Sequence, residues 1–161
     1  KILEPDYHKY LDSISNKKLF VSFISYLEDC ITRILSHLNI YSFELQSRVK
    51  RPYSIRNKMY HYGFESVNQV KDLIAVRIII DSNDDTCYKV LEKIHYSWPF
   101  LDNCYKDFIK QPKMNGYRSL HTVIIVWNYE VEIQIRTQEM HIVAEYGTAS
   151  HSNYKLEFLN I

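Results

Sequence analysis

LIAVRIII, residues 73–80, is the most strongly patterned segment of this chain. Seven of its eight residues are apolar, and a nearly continuous apolar run of this length is typical of a strand buried on both faces. Arg77 is its one charged residue, and Asp72 stands directly before the run. An acidic residue at the end of a central strand occupies a position at which open α/β sheets bind ligands. The segment therefore predicts a central strand with a functional group at its start.

Helix and strand patterns extend in both directions from this strand. Apolar residues recur at helical spacing over residues 17–39, which predicts a long amphipathic helix whose stripe is explained by packing. Before and after the central strand, the patterns predict a strand over 41–50, a short helix over 54–61, a turn over 68–71 and a helix over 86–98. An irregular lysine-rich segment follows over 99–114. The chain then forms a hairpin, with strands over 117–127 and 130–136 and a turn at 128–129, and a closing helix over 137–150. Because the hairpin is antiparallel, we expect an α+β fold, a mixed sheet with helices packed on it.

Length and composition narrow the class of protein. The chain has 161 residues and a net charge of +1, which excludes a globally basic nucleic-acid coat. Its three glycines do not form a P-loop or a GxGxxG dinucleotide fingerprint. No apolar run approaches the roughly 18 residues that a membrane span needs, and three cysteines argue against a closed disulfide framework. We expect a connector and helix over residues 1–40, followed by the sheet domain over 41–161.

The second strand of the hairpin carries a second candidate carboxylate. Glu132 lies on the polar face of an alternating segment whose other face is valine and isoleucine. Exposure of a half-buried strand to water is one explanation of this pattern, and a binding site is the other. Two carboxylates from neighbouring strands, here Asp72 and Glu132, can bind Mg²⁺ together with substrate phosphates. Strict alternation puts Asp72 and Arg77 on opposite faces, so both serve one site only if Asp72 precedes the regular strand.

Two basic clusters could supply phosphate contacts. The first surrounds the predicted strand-to-helix turn and comprises Arg48, Lys50, Arg51, Arg56 and Lys58. The second lies in the loop before Gly116 and comprises Lys106, Lys110 and Lys113. Each cluster alone is usual for a solvated surface, because lysines are mostly exposed. Together with two carboxylates, they favour a site for a polyphosphate and a metal, the combination used in phosphoryl transfer.

An aromatic residue and two histidines complete the candidates. Tyr117 follows the Asn115-Gly116 turn, where it either begins a strand or offers a ring for stacking on a base. His121 and His141 have no metal-ligand spacing with another histidine or cysteine, so structural roles stay open for both.

Five segments in order carry a family resemblance: DLIAVR (72–77), KDFIKQPK (106–113), NGYRSLHT (115–122), EIQIRT (132–137) and AEYGTASH (144–151). On these motifs the chain resembles the synthetase domain of the RelA/SpoT family, the (p)ppGpp alarmone synthetases, over residues 48–155. The N-terminal helix looks like the connector that follows the hydrolase domain in long, bifunctional members. The His-Asp dyad that marks the hydrolase domain does not occur in this sequence.

The resemblance implies a nucleotidyltransferase-like fold with a mixed, mostly five-stranded sheet. It implies transfer of pyrophosphate from ATP to the 3′-hydroxyl of GDP or GTP, with release of AMP, in the stringent response to starvation. It also implies Mg²⁺, or alternatively Mn²⁺, as the cofactor, no membrane, and ribosome contact only through domains absent from this chain. The implied location is the cytoplasm, or a plastid-type organelle if the source is eukaryotic, and the oligomeric state stays open.

Residue roles follow from the same resemblance. The residues that look like the ATP site are Arg48, Lys50, Ser54, Lys58 and Arg77, where both arginines would stack on adenine and the others would hold phosphates. Asp72 looks like the catalytic Mg²⁺ ligand. Glu132 looks like the second catalytic carboxylate, which would orient or deprotonate the 3′-hydroxyl and also touch the metal. The residues that look like the GDP or GTP site are Lys106, Lys113, Asn115, Tyr117 and His121, with Tyr117 stacking on guanine.

The chain departs from the family pattern before the guanosine loop. Long members carry Arg-x-Lys-Asp or Glu-x-Asp-Asp there, whereas this chain has CYKD at 104–107, so GDP and GTP both stay open as acceptors. After His151, Ser152 stands where the family usually has tryptophan.

Two alternative functions belong to other classes. One is a catalytically silent, guanosine-nucleotide-binding regulatory domain of a longer stress-response protein, and the other is an RNA-binding sheet. Retention of both Asp72 and Glu132 argues against the first. The near-neutral net charge argues against the second.

Overall fold

A computed structural model describes residues 17–50 and 52–147, which form four α-helices and one five-stranded sheet. The helices are α1 (Lys17–His37), α2 (Pro52–Tyr62), α3 (Asp84–Ser97) and α4 (Gln138–Tyr146). The strands are β1 (Phe43–Val49), β2 (Ile74–Ile80), β3 (Lys106–Asp107), β4 (Leu120–Val126) and β5 (Tyr129–Thr137).

The sheet is mixed and has the strand order β1-β2-β5-β4-β3. β2 runs parallel to β5 and antiparallel to β1, and β4 is antiparallel to both β5 and β3. Every residue of β2 except Arg77 is buried, as the apolar run predicts for a strand covered on both faces. The predicted mixed five-stranded sheet with helices packed on it is confirmed.

One face of the sheet forms the main hydrophobic core together with α1 and α3. The side chains that α1 and α3 bury there recur at helical spacing: Phe23, Leu27, Ile31, Leu35, Cys87, Val90, Leu91 and Ile94. Alternate residues of β2 and β5 meet them from the sheet. α1 therefore belongs to the same core as the sheet, and the domain boundary after residue 40 stays a prediction.

The opposite face of the sheet carries polar side chains. Because alternation directs the apolar residues of β5 into the core, Glu132, Gln134 and Arg136 are left on this polar face. Strand register aligns one row of polar residues across all five strands: Gln46, Arg77, Gln134, His121 and Lys106. The residues that the sequence nominates from different strands thus meet on one surface.

The hairpin turn lies one residue earlier than the sequence predicts. It comprises Trp127 and Asn128, with φ angles of +49° and +66°, and Tyr129 already belongs to β5. Positive φ at both central residues is the type I′ pattern, which matches the twist of the flanking strands. Trp127 is an unusual residue for this conformation, but its ring stacks on Tyr26 of α1 at 4.5 Å. Tertiary packing therefore supports the turn.

Strand and helix boundaries also differ from the prediction elsewhere, for example in β1 (predicted 41–50) and α2 (predicted 54–61), and the differences near the site are the following. The segment 99–114 is not wholly irregular, because it contains β3, a bridge between Phe100 and Ile124, and a short 3-10 turn. β4 begins at Leu120, so Tyr117 lies in a loop and does not begin the strand. α3 begins before Thr86 because Asn83 caps it, accepting a bond from the Thr86 N–H at 3.1 Å.

The last helix is shorter than the predicted 137–150: Thr137 is its N-cap, it ends at Tyr146, and Gly147 is its C-cap. Residues 1–16, Arg51 and residues 148–161, which include Ser152, lie outside the described residues. Within the described ranges, no helix is both long enough and apolar enough to cross a membrane.

Candidate active site

Asp72 lies in the turn directly before β2, two residues ahead of the first strand residue. Because Asp72 precedes the regular strand, strict alternation does not place it on the face opposite Arg77, and both residues can serve one site. Lys58 Nζ donates to Oδ1 of Asp72 at 2.8 Å, and Lys50 Nζ donates to Oδ2. Arg48 Nη2 lies 3.6 Å from the same Oδ2. We call Asp72 and these three residues the cation cage.

The cage keeps Asp72 charged. Burial is the largest influence on this carboxyl, whose side chain is 14% exposed, and burial alone would raise its pKa. Hydrogen bonds and positive charge from Lys50 and Lys58 together outweigh burial, so the pKa lies below its ordinary value of 3.8. Asp72 is therefore an anion at neutral pH, and two lysines are directed at it.

An open cleft of about 540 Å³ adjoins the cage, and we call it the basic cleft. Its lining residues are Lys50, Ser54, Asn57, Lys58, His61 and Tyr62. α2 begins at Pro52, whose fixed φ suits the first position of a helix, and Ser54 and Lys58 follow one turn apart on one face. Lys50 and Lys58 thus line the cleft while binding Asp72. Three residues predicted for ATP phosphates, Lys50, Ser54 and Lys58, lie together here.

A second cavity, of about 300 Å³, lies over the polar face of β1 and β2. Its lining residues are Gln46, Ser47, Arg48, Ala75, Val76, Arg77 and Gln134. Arg48 and Arg77, the two residues predicted to stack on adenine, therefore border one cavity. Arg77 Nη1 donates to Oε1 of Gln46 at 2.8 Å and to Oε1 of Glu145 at 3.0 Å.

Glu132 lies in β5 between Ala75 of β2 and Val123 of β4. His121 Nδ1 lies 3.3 Å from its Oε1, and Gln134 Nε2 donates to its Oε2 at 3.1 Å. Burial would raise the pKa of Glu132, and the negative charge of Asp72 acts in the same direction. The bonds from His121 and Gln134 prevail, so the pKa lies below 4.5. Glu132 is paired with Ala75, and Asp72 precedes the same strand by two residues, so the two carboxylates belong to neighbouring strands.

Beyond Glu132 lies an aromatic cluster, which we define as Phe108, Lys113, Tyr117 and His121. The Tyr117 hydroxyl lies 2.8 Å from His121 Nε2. Because an ionised carboxylate only accepts hydrogen bonds, the His121 ring donates to Glu132 from Nδ1, and in the neutral ring Nε2 accepts from the Tyr117 hydroxyl. Glu132, His121 and Tyr117 therefore form one hydrogen-bonded chain.

Lys113 covers the rings of this cluster. Its Nζ lies 5.2 Å from the centre of the Tyr117 ring and 4.8 Å from that of Phe108, within the range of cation–π attraction. Asn115 Oδ1 accepts the Tyr117 N–H at 3.2 Å and so shapes the turn at Gly116, whose φ is +80°. A base that stacks on the ring face covered by Lys113 would take the place of this ammonium group.

Arg136 is a candidate that the sequence interpretation leaves out. Its side chain is 1% exposed, its Nη2 lies 3.5 Å from Oε1 of Glu145, and its guanidinium carbon lies 6.0 Å from the Tyr117 ring centre. Burial, with help from the charge of Arg77, lowers the pKa of Arg136 to about 10, so it stays charged at neutral pH. The sequence signal for Arg136 was the strand alternation, which places it on the same face of β5 as Glu132.

The remaining nominated residues lie at or beyond the margins of this site. Lys106 is exposed and pairs with His121 across β3 and β4. Lys110 turns away, with its Nζ 5.3 Å from the Tyr88 ring centre. His141 is buried, and burial lowers its pKa, which fits the structural reading. Among the described residues, no group of three or more His, Cys, Asp or Glu is arranged to hold a metal.

Comparison with known proteins extends these observations. Residues 47–158 match the family model described as a region found in RelA / SpoT proteins. The chain is 39% identical over 156 residues to the probable GTP diphosphokinase RSH3, chloroplastic, of Oryza sativa subsp. japonica, which covers 96% of this chain and 22% of the relative. It is 43% identical over 112 residues to the GTP pyrophosphokinase rsh of Brucella melitensis biotype 1, covering 69% of this chain and 15% of the relative.

Solved structures share the fold. Small alarmone synthetase 2 from Bacillus subtilis matches with a TM-score of 0.70 and 29% identity, covering 91% of this chain and 83% of that chain. Small alarmone synthetase 1 from Bacillus subtilis, bound to its product pppGpp, matches in fold with a TM-score of 0.67 and 24% identity, covering 92% and 82%.

The chain spans about a fifth of the length of the first curated relatives that it matches. The family model nevertheless covers most of it, including both carboxylates, the aromatic cluster and every residue that lines the basic cleft. The chain belongs to the RelA/SpoT family.

Proposed function

We propose that this chain is a (p)ppGpp synthetase domain, which transfers the β,γ-pyrophosphate of ATP to the 3′-hydroxyl of GDP or GTP. One observation carries this proposal: Asp72 precedes β2 and Glu132 lies on the adjacent strand β5, with a basic cleft beside one and an aromatic cluster beside the other. Relatives named GTP diphosphokinase and a fold neighbour solved with its product pppGpp support it.

The ATP side is formed by the basic cleft and the cavity between two arginines. Lys50, Ser54 and Lys58 bind the phosphates, because their ammonium and hydroxyl groups already converge on one open space. Arg48 and Arg77 flank the adenine ring, since both line the same cavity on the sheet. Phosphate oxygens compete with Asp72 for the lysines, so nucleotide binding redistributes the contacts of the cation cage.

The acceptor side is formed by the aromatic cluster. Tyr117 stacks on guanine, while Lys106, Lys113 and Asn115 contact the phosphates and sugar of GDP or GTP. Glu132 accepts the proton of the 3′-hydroxyl, and His121 holds the Glu132 carboxylate in place through its Nδ1–H. The 3′-oxygen forms a bond to the β-phosphorus of ATP, the bond from that phosphorus to the α,β-bridging oxygen breaks, and AMP leaves with the electron pair.

The donor set suits Mg²⁺. Asp72 offers carboxylate oxygens from the turn before β2, and Glu132 offers them from the neighbouring strand β5. Mg²⁺ is usually bound by one or two carboxylates together with substrate phosphates. When bound, the ion would neutralise phosphate charge and polarise the transferring group. Asp72 and Glu132 would hold it, with the remaining ligands supplied by ATP and water.

The direct test is synthesis by the purified chain. Labelled ATP is incubated with GDP or GTP and Mg²⁺, and the products are separated for guanosine tetra- or pentaphosphate. We expect product with at least one acceptor, and AMP in equal amount. Binding of ATP and GDP without any turnover would instead support the catalytically silent regulatory domain. Absence of both binding and turnover would contradict the proposed site itself.

A further inference from the structure

Among the described residues, Asp107 is a carboxylate outside the site above that accepts hydrogen bonds from several donors, and its side chain is 16% exposed. Its Oδ1 accepts the backbone N–H groups of Ile109 at 3.1 Å and Lys110 at 2.9 Å. The Tyr88 hydroxyl lies 3.1 Å from both carboxylate oxygens, and the Tyr105 hydroxyl lies 3.3 Å from Oδ2. An ionised carboxylate has about four acceptor sites, so these donors account for its capacity.

The donors to Asp107 come from three different parts of the fold. Ile109 and Lys110 belong to the loop between β3 and β4, Tyr105 precedes β3, and Tyr88 lies on α3. Lys110 Nζ also lies 5.3 Å from the Tyr88 ring centre, so the loop packs on this tyrosine as well as bonding through Asp107. Burial and the bond to Asp107 raise the pKa of Tyr88 to about 12, so its hydroxyl remains a donor at neutral pH.

The loop held by Asp107 is the one that carries the aromatic cluster. Phe108 follows Asp107 directly, and its ring contacts those of Tyr117 and His121 at 5.9 Å and 5.3 Å between centres. The loop returns to itself through the Lys113 N–H, which donates to the Tyr117 carbonyl at 3.1 Å. Fixing residues 109 and 110 therefore fixes the path between Phe108 and Lys113.

We propose that Tyr88 is a positioning residue for the acceptor nucleotide: its hydroxyl anchors Asp107 to α3, and Asp107 holds the loop that presents Phe108 and Lys113 to guanosine. This inference rests on the proposed function for its nucleotide part. Tyr88 itself contacts no nucleotide, and it acts through the loop. It belongs to none of the five sequence motifs that carry the family resemblance.

The variant Tyr88→Phe removes only the hydroxyl and retains the ring beneath Lys110. Tyr96→Phe is the matched control, because Tyr96 lies on the same helix and its side chain is exposed. Amide hydrogen exchange of Ile109 and Lys110 is followed by NMR without nucleotide, and GDP and ATP affinities are measured by calorimetry. Tyr88→Phe removes a hydrogen bond to the charged Asp107 carboxylate, so we expect the exchange rate of these two amides to rise about tenfold.

The same variant should bind GDP about three- to tenfold more weakly, with ATP affinity within about twofold of wild type. Its KM for the guanosine nucleotide should rise while kcat is largely kept, because the base Glu132 is untouched. Tyr96→Phe should match wild type throughout. Asp107→Asn, which weakens the anchor from the other side, should change the same quantities in the same direction, and combining it with Tyr88→Phe should add little further loss.

Unchanged exchange at Ile109 and Lys110 in Tyr88→Phe would overturn the anchor. Faster exchange with equal losses of GDP and ATP affinity would overturn the positioning role, because general loosening affects both sides. If the wild-type chain binds no GDP, the proposed function and the nucleotide part of this inference fail together. The exchange measurement still decides the anchor in that case, since it uses no nucleotide.

Discussion

The two sides of the site are built by different physical means. Around Asp72, three cations converge on one carboxylate, and the contacts are charge pairs beside an open cleft. Around Tyr117, rings meet edge to face and a hydrogen-bonded chain runs through His121 to Glu132. The first arrangement depends on electrostatic balance, and the second depends on geometry.

This difference indicates how each side responds to its ligand. Phosphates can replace Asp72 as the partner of Lys50 and Lys58 without a change of fold, because ammonium groups are point charges on flexible stems. A guanine ring needs a defined plane, and the loop that we propose provides it is held by backbone bonds and by Asp107. Substitutions of charge should therefore affect the ATP side, and substitutions of shape should affect the acceptor side.

The largest effect is expected where the two sides meet, at Glu132. Glu132→Gln removes the base while retaining a side chain that can accept from His121, so synthesis should fall by about 10²–10⁴-fold with folding and ATP binding kept. Glu130→Gln is the matched control, because Glu130 lies on the same strand face but pairs with Lys71 at 2.9 Å. Product formation and calorimetric ATP binding are compared. Wild-type turnover in Glu132→Gln would remove Glu132 from the catalytic role.

The next effect tests the charge-based side. Lys50→Ala and Lys58→Ala should each weaken ATP binding about 10- to 100-fold, the range for a lost hydrogen bond to a charged group, with GDP affinity little altered. Lys71→Ala is the control, since Lys71 is bound to Glu130 and does not line the basic cleft. Higher salt should weaken wild-type ATP binding more than GDP binding. Equal losses for both nucleotides in calorimetry would contradict the division of the site into two sides.

The geometric side is tested at Tyr117. Tyr117→Phe keeps the ring and loses only the bond to His121, so most activity should remain. Tyr117→Ala should lose about 1–3 kcal/mol of guanosine-nucleotide binding, the worth of a base–aromatic stack, while ATP affinity is unchanged. Melting temperature and both affinities are measured for the two variants and the wild type. An alanine variant that melts early yet binds GDP normally would restrict Tyr117 to a structural role.

The sequence predicted those parts of the fold in which the apolar residues follow one clear pattern. β2 and β5 follow from an apolar run and a strict alternation, and the two carboxylates are placed by the same patterns. β3 was missed because a strand of two residues is too short to show an alternating pattern. It exists only through its pairing with β4, in which Lys106 lies opposite His121. The hairpin turn was misplaced because Trp127 has no intrinsic preference for positive φ, and its stacking on Tyr26 is a tertiary contact.

Within the proposed site, the sequence pattern does not predict which side chains are buried. Alternation marks Arg136 as polar and suggests exposure, whereas the side chain is buried on the face that α4 partly covers through Glu145. Lys110 was grouped with Lys113 by charge, yet it faces Tyr88 and Asp107. Contacts between distant elements decide both cases, and the spacing of residues within one element does not record them.

The smallest predicted effect concerns acid stability of the cation cage. The pKa of Asp72 is lower in the folded chain than its ordinary value of 3.8, because Lys50 and Lys58 outweigh burial. A carboxyl with a lowered folded pKa contributes stability above its unfolded pKa, and the contribution disappears as pH falls through the folded pKa.

The free energy of unfolding in urea, measured without divalent metal between pH 7 and pH 2.5, should therefore fall less steeply on acidification in Asp72→Asn than in wild type. Each unit of pKa difference corresponds to about 1.4 kcal/mol, so the change in slope is measurable even if the variant is less stable at pH 7. Parallel curves for the two proteins would mean that the lysines do not stabilise the charged form of Asp72, and the contrast between a charge-based and a geometric side would lose its basis.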